Sequence, residues 1–250
     1  MSKLAAIILA AGKGTRMKSD RPKVVFELAG KPMINRVVKT AQELKCELIT
    51  IVVGYKKEQV IQVVPKTENI RFVEQKKQNG TGHAVMVTKE EFKNFKGNLF
   101  ILCGDVPLLR TQTLQNMLQK HLKSKASCTV LTAKMGDPMQ YGRIVRNLDG
   151  YVQKIVEFKD ATQKEKEINE INTGIYCFDS ESLFQTLNKI GNNNNQNEYY
   201  LTDILEILNQ QGKKVASYIL EDMVEASGVN SKQQLAELEQ KFYERLENEK

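Results

Sequence analysis

Several kinds of pattern are missing from this 250-residue chain, and each absence excludes a class of protein. The longest uninterrupted apolar run, from Leu4 to Ala11, has eight residues, whereas a membrane-spanning helix needs about 20. The four cysteines form no C-x-x-C pair, which argues against a zinc site or a redox motif. There is no internal repeat, and no basic stripe interleaved with aromatic residues of the kind that binds nucleic acid. We therefore expect free thiols in a reducing cytosol, no membrane span and no nucleic-acid partner.

The charge and the composition are those of an ordinary globular protein. Lys and Arg number 37 against 30 for Asp and Glu, which gives a net charge of +7. This excess suits an anionic ligand, but it would equally serve solubility alone. With 41% hydrophobic residues the chain can bury a core, and its length corresponds to one large domain or two small ones. The mixed-charge stretch 163–170 is expected to be solvated.

Short apolar runs alternate with amphipathic stretches, which predicts an α/β protein. The runs 4–9, 48–53 and 99–103 are apolar at every position but Thr50, as buried parallel strands are. Alternation up to residue 123 predicts right-handed crossovers and a doubly wound, mostly parallel sheet, and the closer strands after it predict an antiparallel patch. Further predicted strands are 128–133, 151–156, 174–178 and 214–218; predicted helices are 33–44, 56–64, 81–91, 111–123, 180–190, 198–211 and one starting near residue 231.

The strongest local feature is the glycine-rich run LAAGKGTRM directly after the first predicted strand. Gly12 and Gly14 allow a sharp turn and a close approach of the backbone to a ligand, and Arg16 adds positive charge. Free N–H groups at the carboxyl end of a strand suit a phosphate. The run is neither a dinucleotide fingerprint, because Met17 stands at the third glycine position, nor a Walker loop. Alone, it is equally well interpreted as a plain tight turn.

Two charged residues lie where they could act with this loop. Lys23 follows Pro22, whose rigidity would hold the lysine over the glycines. Asp105 ends an apolar strand in the run GDVPL, and this is where a hard cation would be held in such a sheet. An aspartate before a proline-containing turn also often bonds only its own backbone.

A third polar group surrounds the run NGTGH at 79–83. Gln75, just before it, carries a carboxamide that can read a base edge through paired donor and acceptor atoms. Gly80 and Gly82 bracket the start of a predicted helix, where free N–H groups occur. His83 is better interpreted as a buried, hydrogen-bonded structural histidine than as a general base.

Taken together, these motifs resemble a known enzyme family. LAAGKGTRM, the Pro-Lys pair, NGTGHA, GDVPL, YGRI, EFKDA, EINTG and GVN occur in the order found in the uridyltransferase half of the bacterial N-acetylglucosamine-1-phosphate uridyltransferases. The resemblance covers nearly the whole chain. It implies the nucleotidyltransferase version of the doubly wound sheet, with the antiparallel patch binding a sugar. It also implies a cytoplasmic, Mg²⁺-dependent enzyme that makes UDP-N-acetylglucosamine, a peptidoglycan precursor, and pyrophosphate from UTP and N-acetylglucosamine 1-phosphate.

The resemblance also implies roles for individual residues. Catalysis would involve Arg16, Lys23 and Asp105, and Mg²⁺ would be bound by Asp105 and Asn230. The chain departs from the family at Cys103, where a Tyr is common, and we expect the Cys103→Tyr variant to keep activity. The implied substrate-binding residues are Leu9, Ala10, Ala11 and Gly12 at the nucleotide, Gln75, Gly80 and Thr81 at the uracil, Gly104 and Asp105 at the ribose and metal, Gly142, Glu157 and Asn172 at the sugar, with Lys23, Cys103 and Asn230.

The domain organisation implied is a nucleotidyltransferase (pyrophosphorylase) domain over 1–229 and a C-terminal helical segment over 230–250. Bifunctional members of the family continue into a hexapeptide-repeat acetyltransferase domain through which they trimerise. Residues 233–250 instead predict one charged helix, so we expect no such domain, no acetyl transfer, and a monomer or weak oligomer.

Two other functions remain open from the sequence. A pyrophosphorylase for another sugar 1-phosphate, such as glucose 1-phosphate with UTP or dTTP, would use the same glycine loop and Asp105, although EFKDA, EINTG and GVN favour the amino sugar. A non-catalytic regulatory module would usually lack the phosphate and metal residues, all of which are present here. No credible Ser/His/Asp or Cys/His set occurs, which supports direct displacement at phosphorus.

Overall fold

The structure is a computed structural model that describes residues 3–248. Residues 1–2 of the predicted segment 1–229 and residues 249–250 of the predicted segment 230–250 therefore lie outside the described residues. The strands are β1 (Leu4–Ala10), β2 (Glu27–Leu28), β3 (Lys31–Pro32), β4 (Leu48–Val53), β5 (Ile70–Glu74), β6 (Asn98–Cys103), β7 (Cys128–Lys134), β8 (Arg143–Arg146), β9 (Val152–Val156), β10 (Glu170–Asp179) and β11 (Val215–Leu220). The helices are α1 (Met33–Glu43), α2 (Lys57–Val63), α3 (Thr81–Met86), α4 (Thr111–Ser124), α5 (Gln163–Lys166), α6 (Ser180–Leu187), α7 (Asp203–Gln210) and α8 (Lys232–Asn248).

A mostly parallel sheet forms the centre of the molecule, with the strand order β11-β7-β10-β6-β1-β4-β5. Strands β6, β1, β4 and β5 are parallel neighbours, and β11 runs parallel to β7. Strand β10 runs antiparallel to both β6 and β7, and the β8–β9 hairpin attaches beside it. The predicted mixed α/β class, the parallel sheet and the antiparallel patch are confirmed. The patch is smaller than expected, since β11 returns to a parallel position.

The strand register brings the carboxyl ends of four strands to one edge. Leu9 of β1 is opposite Cys103 of β6, and Ala10 is opposite Val53 of β4, which in turn is opposite Glu74 of β5. The antiparallel strand β10 begins at the same edge. Ligands of such sheets bind beyond the carboxyl ends of the strands, so this edge is the place to look for a site.

Helices cover both faces of the sheet, because successive residues of a strand point to opposite faces. On one face Ala6 and Ile8 pack with α1 and α4, in a core that includes Val37 and Leu114. On the other face Ala5 and Ile7 pack with α3, α6 and α7. Burial on both faces explains why β1, β4 and β6 are almost entirely apolar, with Thr50 and Asn98 as the exceptions.

The observed elements differ from the predicted ones in several places. Strands β2, β3 and β8 and helix α5 were not predicted, and β10 begins four residues earlier than expected. Three further differences have a cause in a tertiary contact or an exposed face. The helix predicted over 198–211 begins only at Asp203, because Tyr199 pairs its backbone with residues 79 and 82. The helix predicted over 81–91 stops at Met86 and is followed by a 3₁₀ turn, Lys89–Phe92. Strand β5 was not predicted, since it is an edge strand with several half-exposed residues.

The C-terminal helix α8 packs against the segment that follows the glycine loop. Leu238 is buried with Met17, Leu28 and Val229. Glu239 accepts a hydrogen bond from the backbone N–H of Ala29 at 2.5 Å. The domain boundary at 229–230 stays a prediction. Among the described residues, no helix combines the length and the apolar character that crossing a membrane requires.

Candidate functional site

An open cavity of about 340 Å³ lies at the carboxyl edge of the sheet. Most of the residues implied for nucleotide binding line it together: Leu9, Ala10, Ala11, Gly12, Lys23, Gln75, Gly80, Thr81, Cys103 and Asp105. It is also lined by four residues that the sequence analysis missed: Val24, Gln78, Ala84 and Glu198.

The glycine loop is built so that Lys23 can lie against it. Gly14 has a φ of +64°, in the left-handed region that favours glycine. A Cβ placed on Gly14 would lie 2.6 Å from the Cβ of Lys23, so a side chain there would displace the lysine. At Gly12, by contrast, an added Cβ would meet nothing within 4 Å, because this glycine borders the open cavity. The prediction that Lys23, which follows Pro22, lies over the glycine loop is confirmed for its position.

Lys23 is held by two side chains from distant parts of the chain. Its Nζ forms an ion pair with Oδ2 of Asp105 and donates to Oδ1 of Asn230 at 2.7 Å. The Asp105 and Lys23 side chains are only 21% and 15% exposed, so the pair is partly shielded from water. The backbone N–H of Val229 donates to the carbonyl of Asp105 at 3.0 Å, which places the 228–230 segment beside the end of β6.

The two oxygens that contact Lys23 Nζ, Asp105 Oδ2 and Asn230 Oδ1, belong to the two residues expected to bind Mg²⁺. Both already face one positive charge, so they are suited to a divalent cation that takes few protein ligands. Residues 3–248 contain no cluster of three or more histidine, cysteine or acidic side chains that could hold a metal ion. A cation here would therefore have to take its remaining ligands from water or substrate.

Gln75 lies at the end of β5 and is nearly buried, at 4% exposure. Its Nε2 lies 3.0 Å from the carbonyl oxygen of Gly80 and 3.0 Å from Nδ1 of His83. His83 is thus hydrogen-bonded, as expected, but it is half-buried rather than fully buried. The hydrogen-bond partner of His83 is Gln75, the residue expected to contact the uracil base.

The loop that carries Gly80 is closed against a distant segment. The backbone N–H of Gly82 donates to Tyr199 O at 2.7 Å, and the Tyr199 N–H donates to Asn79 O at 2.8 Å. The hydroxyl of Thr81 accepts from the N–H of Leu201 at 3.2 Å. These contacts bring Glu198 to the cavity, and no local sequence signal could have indicated it.

The three residues implied for the sugar form a second group: Gly142 just before β8, Glu157 just after β9 and Asn172 in β10. A Cβ on Gly142 would lie 3.4 Å from Oε2 of Glu157, and the carbonyl of Gly142 accepts from the N–H of Asn172 at 2.9 Å. Oδ1 of Asn172 accepts from the Gly174 N–H and from the Tyr176 hydroxyl, each at 3.0 Å. Within the described residues the Asn172 Nδ2 has no partner, so it can donate to a ligand.

The surroundings of Glu157 raise the pKa of its carboxyl group above its ordinary value. Burial raises the pKa of Glu157, and the carboxylates of Asp203 and Asp160 raise it further. A hydrogen bond at 3.3 Å from the Thr202 hydroxyl opposes this shift by lowering the pKa. A sugar hydroxyl that donated to Glu157 would likewise favour the charged form.

Cys103 connects the two groups. Its Sγ lies 3.5 Å from the carbonyl oxygen of Gly174, and it borders the cavity. Burial, with a further contribution from Asp105, raises the pKa of the Cys103 thiol to about 12. A neutral thiol is a poor nucleophile, so Cys103 acts here as a small wall residue. All four cysteines are free, and Cys103, Cys128 and Cys177 lie in strands as expected.

Besides Asn230 and the three sugar residues, Arg16 and Gly104 also lie apart from the cavity lining. Arg16 is exposed in the 3₁₀ turn Thr15–Met17 and makes no hydrogen bond or ion pair with any residue in 3–248. Gly104 lies behind the site, where a Cβ would approach Ile34 Cδ1 to 3.0 Å and Leu9 O to 3.1 Å. The roles of these residues, and of the whole set, stay predictions.

The chain is similar in sequence to known proteins. The family described as "Nucleotidyl transferase" matches residues 5–226. The protein named "Bifunctional protein GlmU" is 45% identical over 246 residues in Halalkalibacterium halodurans, and in Alkaliphilus metalliredigens it is 48% identical over 244. Each alignment covers 98% of this chain but only 54% and 53% of the relative, so the chain spans about half the length of the curated relatives it matches.

Solved structures show the same fold. A crystal structure of UDP-glucose pyrophosphorylase complexed with UDP-glucose superposes with a TM-score of 0.78 at 21% identity, over 98% of this chain and 100% of that chain. The apo form of a UDP-glucose pyrophosphorylase gives a TM-score of 0.74 at 22% identity. On the family match over residues 5–226, supported by this fold and by the cavity at the sheet edge, the chain belongs to the nucleotidyl transferase family.

Proposed function

We propose that this protein is a uridylyltransferase that makes UDP-N-acetylglucosamine and pyrophosphate from UTP and N-acetylglucosamine 1-phosphate. The observation that carries the proposal is the meeting of Lys23, Asp105 and Asn230 beside a cavity lined by the glycine loop and Gln75. The sequence motifs and the 45–48% identity to proteins named "Bifunctional protein GlmU" support the choice of the amino sugar. In this role the enzyme would act in the cytoplasm and supply a peptidoglycan precursor.

The nucleotide end of the cavity is suited to UTP. Gln75 and the loop of Gly80 and Thr81 offer donors and acceptors for a pyrimidine edge, and Gly12 leaves space at the carboxyl end of β1 for the phosphates. The free N–H groups of the glycine loop, with Lys23, would neutralise the triphosphate charge. Arg16 is exposed and unpaired within residues 3–248, so its guanidinium is available to a phosphate or to pyrophosphate.

The donor set of Asp105 and Asn230 fits Mg²⁺, since both oxygens already converge on the cationic Lys23. Mg²⁺ held there would supply charge neutralisation at the reacting phosphates. Lys23 would then exchange its protein partners for phosphate oxygens, to which its ammonium donates.

The reaction needs no protein nucleophile. A phosphate oxygen of the sugar 1-phosphate forms the new bond to the α-phosphorus of UTP, while the α–β bridging bond breaks and its electrons leave with pyrophosphate. The chain's part is to orient the two substrates and to stabilise charge that develops on the phosphates. Gly142, Glu157 and Asn172 would position the sugar, with the Asn172 Nδ2 as a donor.

The test is a pyrophosphate-release assay with UTP, Mg²⁺ and a panel of sugar 1-phosphates. N-acetylglucosamine 1-phosphate should give the highest kcat/KM, and product analysis should identify UDP-N-acetylglucosamine. A preference for glucose 1-phosphate would replace the proposal with the alternative sugar, and no release with any of them would contradict it.

A further inference from the structure

The Gln75 amide is held by two acceptors at once. Its Nε2 carries two hydrogens, and it lies 3.0 Å from both Gly80 O and His83 Nδ1. The Gly80 carbonyl can only accept, so the amide atom that faces it must be the nitrogen. Since the same nitrogen faces Nδ1, this ring nitrogen must also accept, and the imidazole carries its hydrogen on Nε2.

This arrangement determines which Gln75 atom faces the ligand. Within residues 3–248 the Gln75 Oε1 accepts no hydrogen bond. It is also not one of the buried side-chain atoms that lack a partner, so it is accessible to solvent. Gln75 lines the cavity. Its carbonyl oxygen is therefore the polar atom turned to the open side, and it can only accept.

We propose that His83 is a positioning residue that, together with Gly80, locks the Gln75 amide with its oxygen toward the nucleobase and so selects uracil against cytosine. This rests on the proposed function, which places a pyrimidine beside Gln75. The N3 atom of uracil bears a hydrogen and donates to Oε1, whereas N3 of cytosine is an acceptor and would face Oε1 lone pair against lone pair. A flipped amide would present its NH₂ group and would suit cytosine instead.

The backbone that carries His83 is held by a distant segment of the chain. Helix α3 carries the histidine, and Gly82 in the same turn bonds Tyr199 O at 2.7 Å. The His83 and Tyr199 rings lie 6.4 Å apart between centroids. Loss of Nδ1 would leave one amide hydrogen of a nearly buried side chain without a partner, which lowers the penalty for flipping.

The experiment measures UTP and CTP binding by calorimetry, with Mg²⁺, for the full chain and three variants. His83→Ala should lower the ratio of UTP to CTP affinity by about five- to tenfold, the worth of one hydrogen bond. His83→Asn should restore the parent ratio, because Oδ1 of asparagine can accept where Nδ1 did. Met86→Ala, which truncates another half-buried side chain of α3 and removes no hydrogen-bonding group, should keep the parent ratio.

The outcomes separate this inference from the proposed function. An unchanged ratio in folded His83→Ala, or a ratio in His83→Asn as low as in His83→Ala, would overturn the role of His83. So would a parent protein that does not prefer UTP. A parent that prefers UTP but releases no pyrophosphate with any sugar phosphate would contradict the proposed reaction, and the binding ratios would still decide the role of His83.

Discussion

Lys23 is the residue on which the contacts of the site converge. Its ammonium stands between Asp105 Oδ2 and Asn230 Oδ1, the two oxygens proposed to bind Mg²⁺. Two cations cannot share that position, because their repulsion at such short range is large in a partly shielded site. Metal binding and the release of Lys23 toward phosphate are therefore expected to be linked by competition.

Replacing Asp105 should remove most of the activity. Asp105→Asn keeps the shape but loses the charge that would hold the cation, and a catalytic metal is worth several kcal/mol, so turnover should fall by about 10³-fold. Pyrophosphate release measures the effect, and Asp149→Asn, at an exposed turn, is the matched control. Turnover within tenfold of the parent would contradict the metal-binding role.

Replacing Lys23 should have opposite effects on catalysis and on metal affinity. Lys23→Ala should lower kcat by about 10²–10³-fold through loss of a preorganised charge contact. In the absence of nucleotide it should bind Mn²⁺ more tightly than the parent, since the competing ammonium is gone.

Electron paramagnetic resonance of free Mn²⁺ gives that affinity, and Lys13→Ala, whose exposed lysine contacts the Tyr55 ring, is the control. Weaker Mn²⁺ binding in Lys23→Ala would count against competition. A rise in KM with kcat unchanged would show that Lys23 binds the substrate and the transition state equally well.

At the scale of elements, the helix start at 79–82 and the strand-like segment 198–201 form one unit. Gly80 has a φ of +100°, and a Cβ there would lie 2.6 Å from Tyr199 O. At Gly82 a Cβ would lie 2.4 Å from Ile190 Cδ1 and 2.8 Å from Tyr199 O. Both glycines are therefore required by close packing, and the 79–82 loop, which we propose binds the nucleobase, depends on a segment more than 100 residues away.

Gly82→Ala should weaken this unit. The added methyl group must push against backbone as well as Ile190, and overpacking of this kind costs about 1–3 kcal/mol. Urea unfolding should show that loss, and UTP binding should weaken with it. Gly136→Ala, where an added Cβ meets nothing within 4 Å, should change neither quantity, and equal effects at the two positions would refute the packing argument.

At the scale of the whole molecule, one buried histidine joins a helix to the sheet. His121 of α4 is 2% exposed, and its Nδ1 lies 2.9 Å from the hydroxyl of Thr129 in β7. Burial lowers the pKa of His121 from its ordinary value of 6.5 to about 4, against a small opposing effect of Asp179. The folded protein thus holds this ring neutral under conditions where the unfolded chain protonates it.

The contribution of His121 to the stability of the protein should therefore fall in mild acid. Between pH 6.5 and about 4 the unfolded chain binds a proton that the folded protein does not, so the free energy of unfolding decreases as the pH falls through this interval. The His121 contribution is fully present above pH 6.5, and its loss by pH 4 amounts to about 3 kcal/mol.

Urea unfolding at pH 7.5 and pH 5 compares the parent with His121→Asn, which can still accept from Thr129 but does not titrate. The parent should lose more stability than the variant over this interval. Equal losses would show that His121 is not the group responsible.

One expectation from charge patterning was wrong. Glu170, at the end of the stretch expected to be solvated, is 6% exposed and forms an ion pair with Arg146 at 2.6 Å. Burial raises its pKa, but the hydrogen bonds and charge of Arg146 outweigh this and leave the pKa lowered. The rest of the stretch agrees with expectation, since α5 buries no residue.

The sequence by itself determined the local structure of the sheet. Strand β4 was predicted residue for residue, and β1, β6 and β7 to within one, because a strand buried on both faces is apolar at most positions. The glycine loop was recognisable for a similar reason, as its chemistry lies within nine consecutive residues. Edge strand β5 was missed because half exposure leaves no such run.

Only the tertiary structure decided which of these pieces meet. Lys23 is 82 residues from Asp105 and 207 from Asn230, and Thr81 bonds Leu201 across 120 residues. The hydrophobic periodicity of a segment shows how that segment is buried, but it carries no information about the order of strands in the sheet. Strand order determines which carboxyl ends are neighbours. The partner of Gln75 is near in sequence, but the direction of its amide depends on the close packing of the 79–82 loop against Tyr199, which only the folded chain provides.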